Sequence, residues 1–216
     1  MTLKKAIQTK WGASIELFLF FLISILPIKL GLIIPLLIFI SIGSMKSRKL
    51  KWIDIGFSFA DFKIQKIIIG VIVAFVYFLL FQYLITPLLN SWFPGVNLNA
   101  IGNIKGDYQK LIIWLIISWT VGTIFEELIF RGYLLNRLKD LFGNKPPGQI
   151  LIVILAAIPF GFIHAYQGTQ GIITAALFGI FQSIIYLVNK KLTIPMIAHG
   201  TFDTIGFVRL FSHNIP

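Results

Sequence analysis

Long apolar runs, broken by short basic or glycine-containing stretches, make up most of this chain. A helix rising 1.5 Å per residue needs about 20 apolar residues to cross a hydrocarbon core of about 30 Å. Runs of roughly that kind lie at Ile67–Leu89, Leu111–Leu135, Ile150–His164, Gly171–Val188 and Ile194–Phe211. The stretch Gly12–Ile42 is too long for one helix and carries Pro27 and Lys29 near its middle. It reads as two short spans turning at Leu26–Lys29. The pattern therefore predicts an all-α, polytopic transmembrane helical bundle of about seven spans. Between them, Lys51–Lys66 reads either as a plain loop or as an interfacial amphipathic segment with Trp52, Phe57, Phe59 and Phe62 on lipid. Asn90–Lys110, with Pro94, Gly95, Gly102 and Gly106, is the longest polar connection. No repeat or low-complexity tract divides the 216 residues, so one integral membrane domain over 1–216 is expected.

Composition strengthens this picture. Hydrophobic residues reach 57%, against about 45–50% in soluble proteins. Charged residues are only 12% and mean hydropathy is +0.88, too little polarity to cover a water-soluble globule. The 19 Lys and Arg against 8 acids give a formal charge of +11. Most of these bases flank apolar runs, which suits a lipid-facing cytoplasmic charge and excludes a nucleic-acid partner. The absence of cysteine excludes disulfides, thiol nucleophiles and zinc–cysteine sites. Lys4, Lys5 and Lys10 precede an apolar run without a small-x-small cleavage pattern, so that segment is expected to remain as an anchor. With the N-terminus inside, the basic clusters at 4–10, 46–66, 137–145 and 190–191 are cytoplasmic. Lys29, Lys105, Lys110 and Arg209 fall on the other side, and Arg131 is within the membrane.

Candidate chemistry comes from ionisable groups inside the spans, each costing about 2.5–3.5 kcal/mol even on the lenient insertion scale. Glu126, Glu127 and Arg131 lie on the fourth span, His164 on the fifth, and His199 and Asp203 on the last. Glu16 is a lesser case on the first. Glu127 and Arg131 stand four apart, as a neutralising ion pair would. Glu126 has no partner at that spacing, and an unpaired carboxyl in low dielectric suits a general base. His199 and Asp203 share a face, so the carboxylate can fix the imidazole tautomer. His164 follows Pro159 and Gly161, where a helix can bend; His213 belongs to the polar tail. No Gly-x-Ser-x-Gly and no His-Glu-x-x-His occurs. One Glu, two His and one Asp could activate water and stabilise an oxyanion, or could equally hold a zinc.

Three motifs carry a resemblance. Glu126-Glu127-Leu-Ile-Phe-Arg131, Phe160-Gly-Phe-Ile-His164 and His199-Gly-Thr-Phe-Asp203 follow one another on separate apolar spans. Together they resemble the CPBP (Abi) family of intramembrane proteases, which includes CAAX prenyl proteases and bacteriocin-processing enzymes. The resemblance covers about residues 110–211, the expected protease core. It implies an endopeptidase with a cavity open to the cytosol, cutting a short, hydrophobic or membrane-anchored peptide or protein substrate near the cytoplasmic face. By that likeness Glu126 and His164 activate the attacking water, His199 and Asp203 form the oxyanion side, and Glu127 and Arg131 support the site. The family's usual Asn is Asp at Asp203; ionised, it could only orient His199. The resemblance implies no cofactor. The zinc alternative would use Glu126, His164 and His199. A bacterial cytoplasmic membrane is the expected location, and a non-catalytic immunity or peptide-binding protein is the competing reading. Depth raises a question: Glu126 and His199 fall about 10 Å from the basic edge, but His164 about 20 Å.

Overall fold

The computed structural model describes residues 9–26 and 30–212. Pro27–Lys29 of the expected first turn, Lys4, Lys5 and His213 lie outside that range. Seven helices and no strand occur among the described residues. They are α1 (Lys10–Ile25), α2 (Leu30–Ser47), α3 (Ile64–Asn90), α4 (Tyr108–Phe142), α5 (Pro146–Phe162), α6 (Gly168–Asn189) and α7 (Thr193–Ser212). Each expected span falls inside one of them except Ile150–His164, whose last two residues lie beyond the end of α5. By length and composition, α3 and α4 are long and apolar enough to cross a bilayer, as is the helical stretch Ala165–Asn189 that contains α6. α5 and most of α2 are shorter apolar helices that need protein neighbours.

Local chemistry explains the boundaries. The Thr9 hydroxyl accepts from the Gly12 amide and the Asp107 carboxylate from the Lys110 amide, capping α1 and α4. Pro146 and Pro147 open α5, where no intrahelical donor is needed. The segment between α2 and α3 forms two 3₁₀ turns, Trp52–Ile55 and Phe59–Asp61. Phe59 and Trp52 are exposed, at 83% and 47%, whereas Ile55 is buried. Gly56 ends the first turn at φ +85°, where an added Cβ would lie 2.8 Å from the Lys190 carbonyl oxygen.

Two ends of the bundle are distinct. At one, Arg48 and Arg137 both reach Asp140 (2.8 and 2.9 Å), Arg137 reaches Glu16 (2.7 Å), and Lys191 reaches Asp61 (2.9 Å). The Leu192 amide donates to the Gly56 carbonyl at 2.9 Å. This is the basic end. Arg137, expected in a polar loop, is instead buried on α4, because Glu16 of α1 supplies its counter-charge. At the other end, the connection between α3 and α4 lies across the helix termini. The Asn97 amide donates to Gln167 and the Gly106 amide to Phe211. The Gln170 side chain donates to Asn90 at 2.6 Å, and the Tyr108 and Phe211 rings pack with centroids 4.7 Å apart. We call this the loop end.

Close helix contacts depend on small residues. α7 lies along α3, where a Cβ on Gly70 would sit 2.6 Å from Ile197 Cβ. α5 lies along α6, with Gly161 against the Ile172 carbonyl and Gly179 against the Phe160 ring.

Candidate active site

α4 is not a regular α-helix where it carries its acids. Wide π-type turns run over Ser118–Phe125 and Glu127–Leu134, with Glu126 at the junction. A π turn advances each residue by a smaller angle than an α turn, and such turns recur at functional sites. Glu126 and Glu127, adjacent in the chain, are nevertheless both buried. Glu126 is 5% exposed and lines a cavity of about 390 Å³; its Oε2 has no hydrogen-bond partner among the described residues. Glu127 is fully buried behind it.

Glu127 is the hub of the charged core. Its Oε1 lies 3.2 Å from the Arg131 guanidinium, 2.8 Å from His199 Nδ1 and 3.5 Å from Gln182 Nε2. The guanidinium also donates to the Gly179 carbonyl at 3.3 Å and sits 4.2 Å from the Phe160 ring centroid. A carboxylate paired with Arg131 accepts, so His199 Nδ1–H donates to it and Nε2 is left for the cavity. The carboxylate fixing the His199 tautomer is therefore Glu127 and not, as the four-residue spacing implies, Asp203. Asp203 Oδ2 stands 3.8 Å from His199 Nε2 and accepts the Ser118 hydroxyl at 2.7 Å.

His164 sits just beyond α5, in the turn between α5 and α6, so the helix ends at this histidine where a bend within it was expected. Its Nδ1 lies 2.9 Å from the Phe160 carbonyl oxygen, which can only accept. Nδ1 is thus protonated, and Nε2 is again the available nitrogen. The Phe160 ring packs against both imidazoles, with centroids 5.1 Å from His164 and 6.3 Å from His199. Glu126, His164, His199 and Asp203 all line the one cavity. The depth expected for His164 assumes a helix running through it, whereas α5 ends at Phe162. Glu16 lies elsewhere, bound to Arg137, Ser44 and Tyr133.

Sequence reasoning passed over Ser118 and Gln182. Both are uncharged polar residues within apolar spans, buried at 6% and 0%, and that placement was the available signal. It also missed α3, whose Phe78, Phe81 and Gln82 wall the cavity from outside the expected 110–211 core. A wide turn at Phe81–Ile85 marks that wall.

Zinc held by Glu126, His164 and His199 would use the two Nε2 atoms and the unpartnered Glu126 oxygen. Among the described residues, however, no three His, Asp or Glu side chains come together closely enough to share an ion. The donors suit zinc in kind but not in arrangement.

The cavity extends to the loop end of the bundle. Its outer wall is Ala100 and Ile101 of the α3–α4 connection, Tyr166 and Gln167 of the α5–α6 turn, and Arg209 and Leu210 of α7. All belong to the loop end. The basic loops lie at the opposite end.

No curated protein and no solved structure matches the chain. A protein-family model does, the one described as Type II CAAX prenyl endopeptidase Rce1-like, over residues 108–205. That match takes in Glu126, Glu127, Arg131, His164, His199 and Asp203, and over residues 108–205 the chain is similar to the Rce1-like family.

Proposed function

We propose that this protein is an intramembrane endopeptidase that hydrolyses a peptide bond of a short, hydrophobic or membrane-anchored substrate with water activated by Glu126 and His164. The whole chain acts as one unit, with residues 110–211 as its proteolytic core and α3 as a substrate wall. The observation that carries this reading is Glu126: a buried carboxyl with an unpartnered oxygen, on the wall of a cavity that two imidazoles also line. A carboxyl in such a place is costly unless it has work to do.

In this reading a water lies between Glu126 and His164. His164 Nε2 accepts one of its hydrogens and orients it, and the Glu126 carboxylate takes the proton as oxygen attacks the carbonyl carbon. The developing oxyanion needs a donor. His199 gives one from Nε2 only as an imidazolium, and Glu127 and Asp203 on either side supply the negative charge that form requires. The Ser118 hydroxyl donates to Asp203, which suits an accepting carboxylate that orients His199 and does not itself contact the oxyanion. Collapse of the tetrahedral intermediate returns the proton from Glu126 to the leaving amine. No metal enters this scheme.

Replacing Glu126 tests it. Glu126→Gln keeps the size and removes the base, so the cleaved peptides should disappear from membrane fractions while the protein accumulates normally, a loss of about 10²–10⁴-fold. An unchanged peptide profile would end the catalytic reading and favour a non-catalytic peptide-binding protein.

A further inference from the structure

We infer that the cavity is entered from the non-cytoplasmic face, so that the substrate is an apolar peptide segment presented from outside the cytoplasm. The substrate half of this inference rests on the endopeptidase reading; the sidedness does not.

The basic end is plugged. Arg131, Leu134 and Leu135 of α4 and Leu192, Thr193 and Met196 around the start of α7 are each no more than 2% exposed. Ile55 of the first 3₁₀ turn closes over them. A Cβ on Gly132 would stand 2.9 Å from Ile55 Cδ1 and 3.3 Å from Leu192 Cδ1, so no passage remains. The plug is fastened from outside by the Tyr186 hydroxyl, which donates to the Ile55 carbonyl at 3.1 Å. No peptide reaches Glu126 from there without dismantling the segment.

The loop end is the reverse. From Asp203 to Leu210 the cavity follows α7 outward for about 10 Å. Ala100, Tyr166 and Gly206 on its wall are exposed. The lining there is Phe78, Ile101, Trp114 and Phe207, an apolar groove for an apolar segment.

Charge then orients the molecule. The short loops at the plugged end carry Lys46, Arg48, Lys49, Lys51, Lys63, Lys66, Lys139, Lys145, Lys190 and Lys191. The mouth end carries Lys105, Lys110 and Arg209, and Asp107 stands 3.3 Å from Lys110. Short loops rich in Lys and Arg stay in the cytoplasm during insertion. The plug therefore faces the cytoplasm and the mouth faces away from it.

The absence of cysteine permits a direct test. Ala100→Cys and Gly206→Cys mark the mouth; a Cβ at 206 meets nothing within 4 Å. Lys145→Cys marks the plugged end. A membrane-impermeant charged maleimide is added to sealed spheroplasts of a bacterial host expressing each variant, then again after detergent. The expected result is labelling of both mouth cysteines before detergent and of Lys145→Cys only after it. Mouth cysteines that stay unlabelled until detergent is added would overturn the inference, as would labelling of Lys145→Cys in sealed spheroplasts. Repeating the series on a Glu126→Gln background should give the same pattern, because labelling needs no turnover. An inactive wild type would thus sink the endopeptidase reading and leave the sidedness standing.

Discussion

Arg131 and Glu127 share a site with almost no access to solvent, 1% and 0% exposed, at 3.2 Å. Truncating one member of such a pair strands the other charge, a cost of about 3–5 kcal/mol. Arg131→Ala should therefore lower the yield of folded protein and its melting temperature in detergent; a variant with wild-type yield and melting would show that Glu127 needs only His199. Arg131→Lys should recover part of the loss, since an ammonium keeps the charge without the fork or the stacking on Phe160. This pair was legible from its spacing alone. The link from Glu127 to His199 was not, because it joins residues 72 apart in the chain and depends on how α7 packs on α4. Spacing suggested Asp203 for that role, and only packing could assign the nearer carboxylate.

Helix positions were legible from hydropathy to within a few residues; helix contacts and the winding inside α4 were not. Apolar length reports a span but not whether its turns are α or π, nor that two adjacent glutamates are both buried. At Gly70 the backbones of α3 and α7 approach so closely that a Cβ cannot fit beside Ile197. Gly70→Ala should destabilise by about 1–3 kcal/mol through overpacking, seen as a lower melting temperature; an unchanged value would mean that the two helices separate freely. The linker carrying the plug depends on Asp61, whose carboxyl is held below the ordinary range by the hydrogen bond from Lys191, against the opposing cost of burial, and by the nearby charges of Lys191 and Lys66. A depressed carboxylate stabilises above its unfolded value and loses that contribution as pH falls through the folded one. Asp61→Asn should therefore cost up to about 1 kcal/mol at neutral pH. The gap from wild type should close only below about pH 4. A gap that instead closes between pH 6 and 8 would implicate another group.

At the scale of the whole molecule, the cavity is a product of assembly: α4 gives Glu126, the α5–α6 turn His164, α7 His199 and Asp203, and α3 the facing wall. The motifs named the first three contributors, and nothing in the apolar sequence of α3 marked the fourth. This distribution also bears on metal dependence. A catalytic zinc takes three protein ligands, with Zn–N of about 2.0–2.1 Å, so two imidazole nitrogens bound to it lie within about 4 Å of each other. Here each imidazole is tied by Nδ1 to a different anchor, His164 to the Phe160 carbonyl and His199 to Glu127. Drawing both onto one ion with Glu126 would require the turn after α5 to move against α7, across the buried Phe160 ring. Purified protein is therefore expected to contain no stoichiometric zinc, and its peptidase activity should survive chelators. Metal analysis giving about one zinc per chain, with activity lost on chelation and regained on adding zinc, would overturn this and require the α5–α6 turn to close onto α7 in the working enzyme.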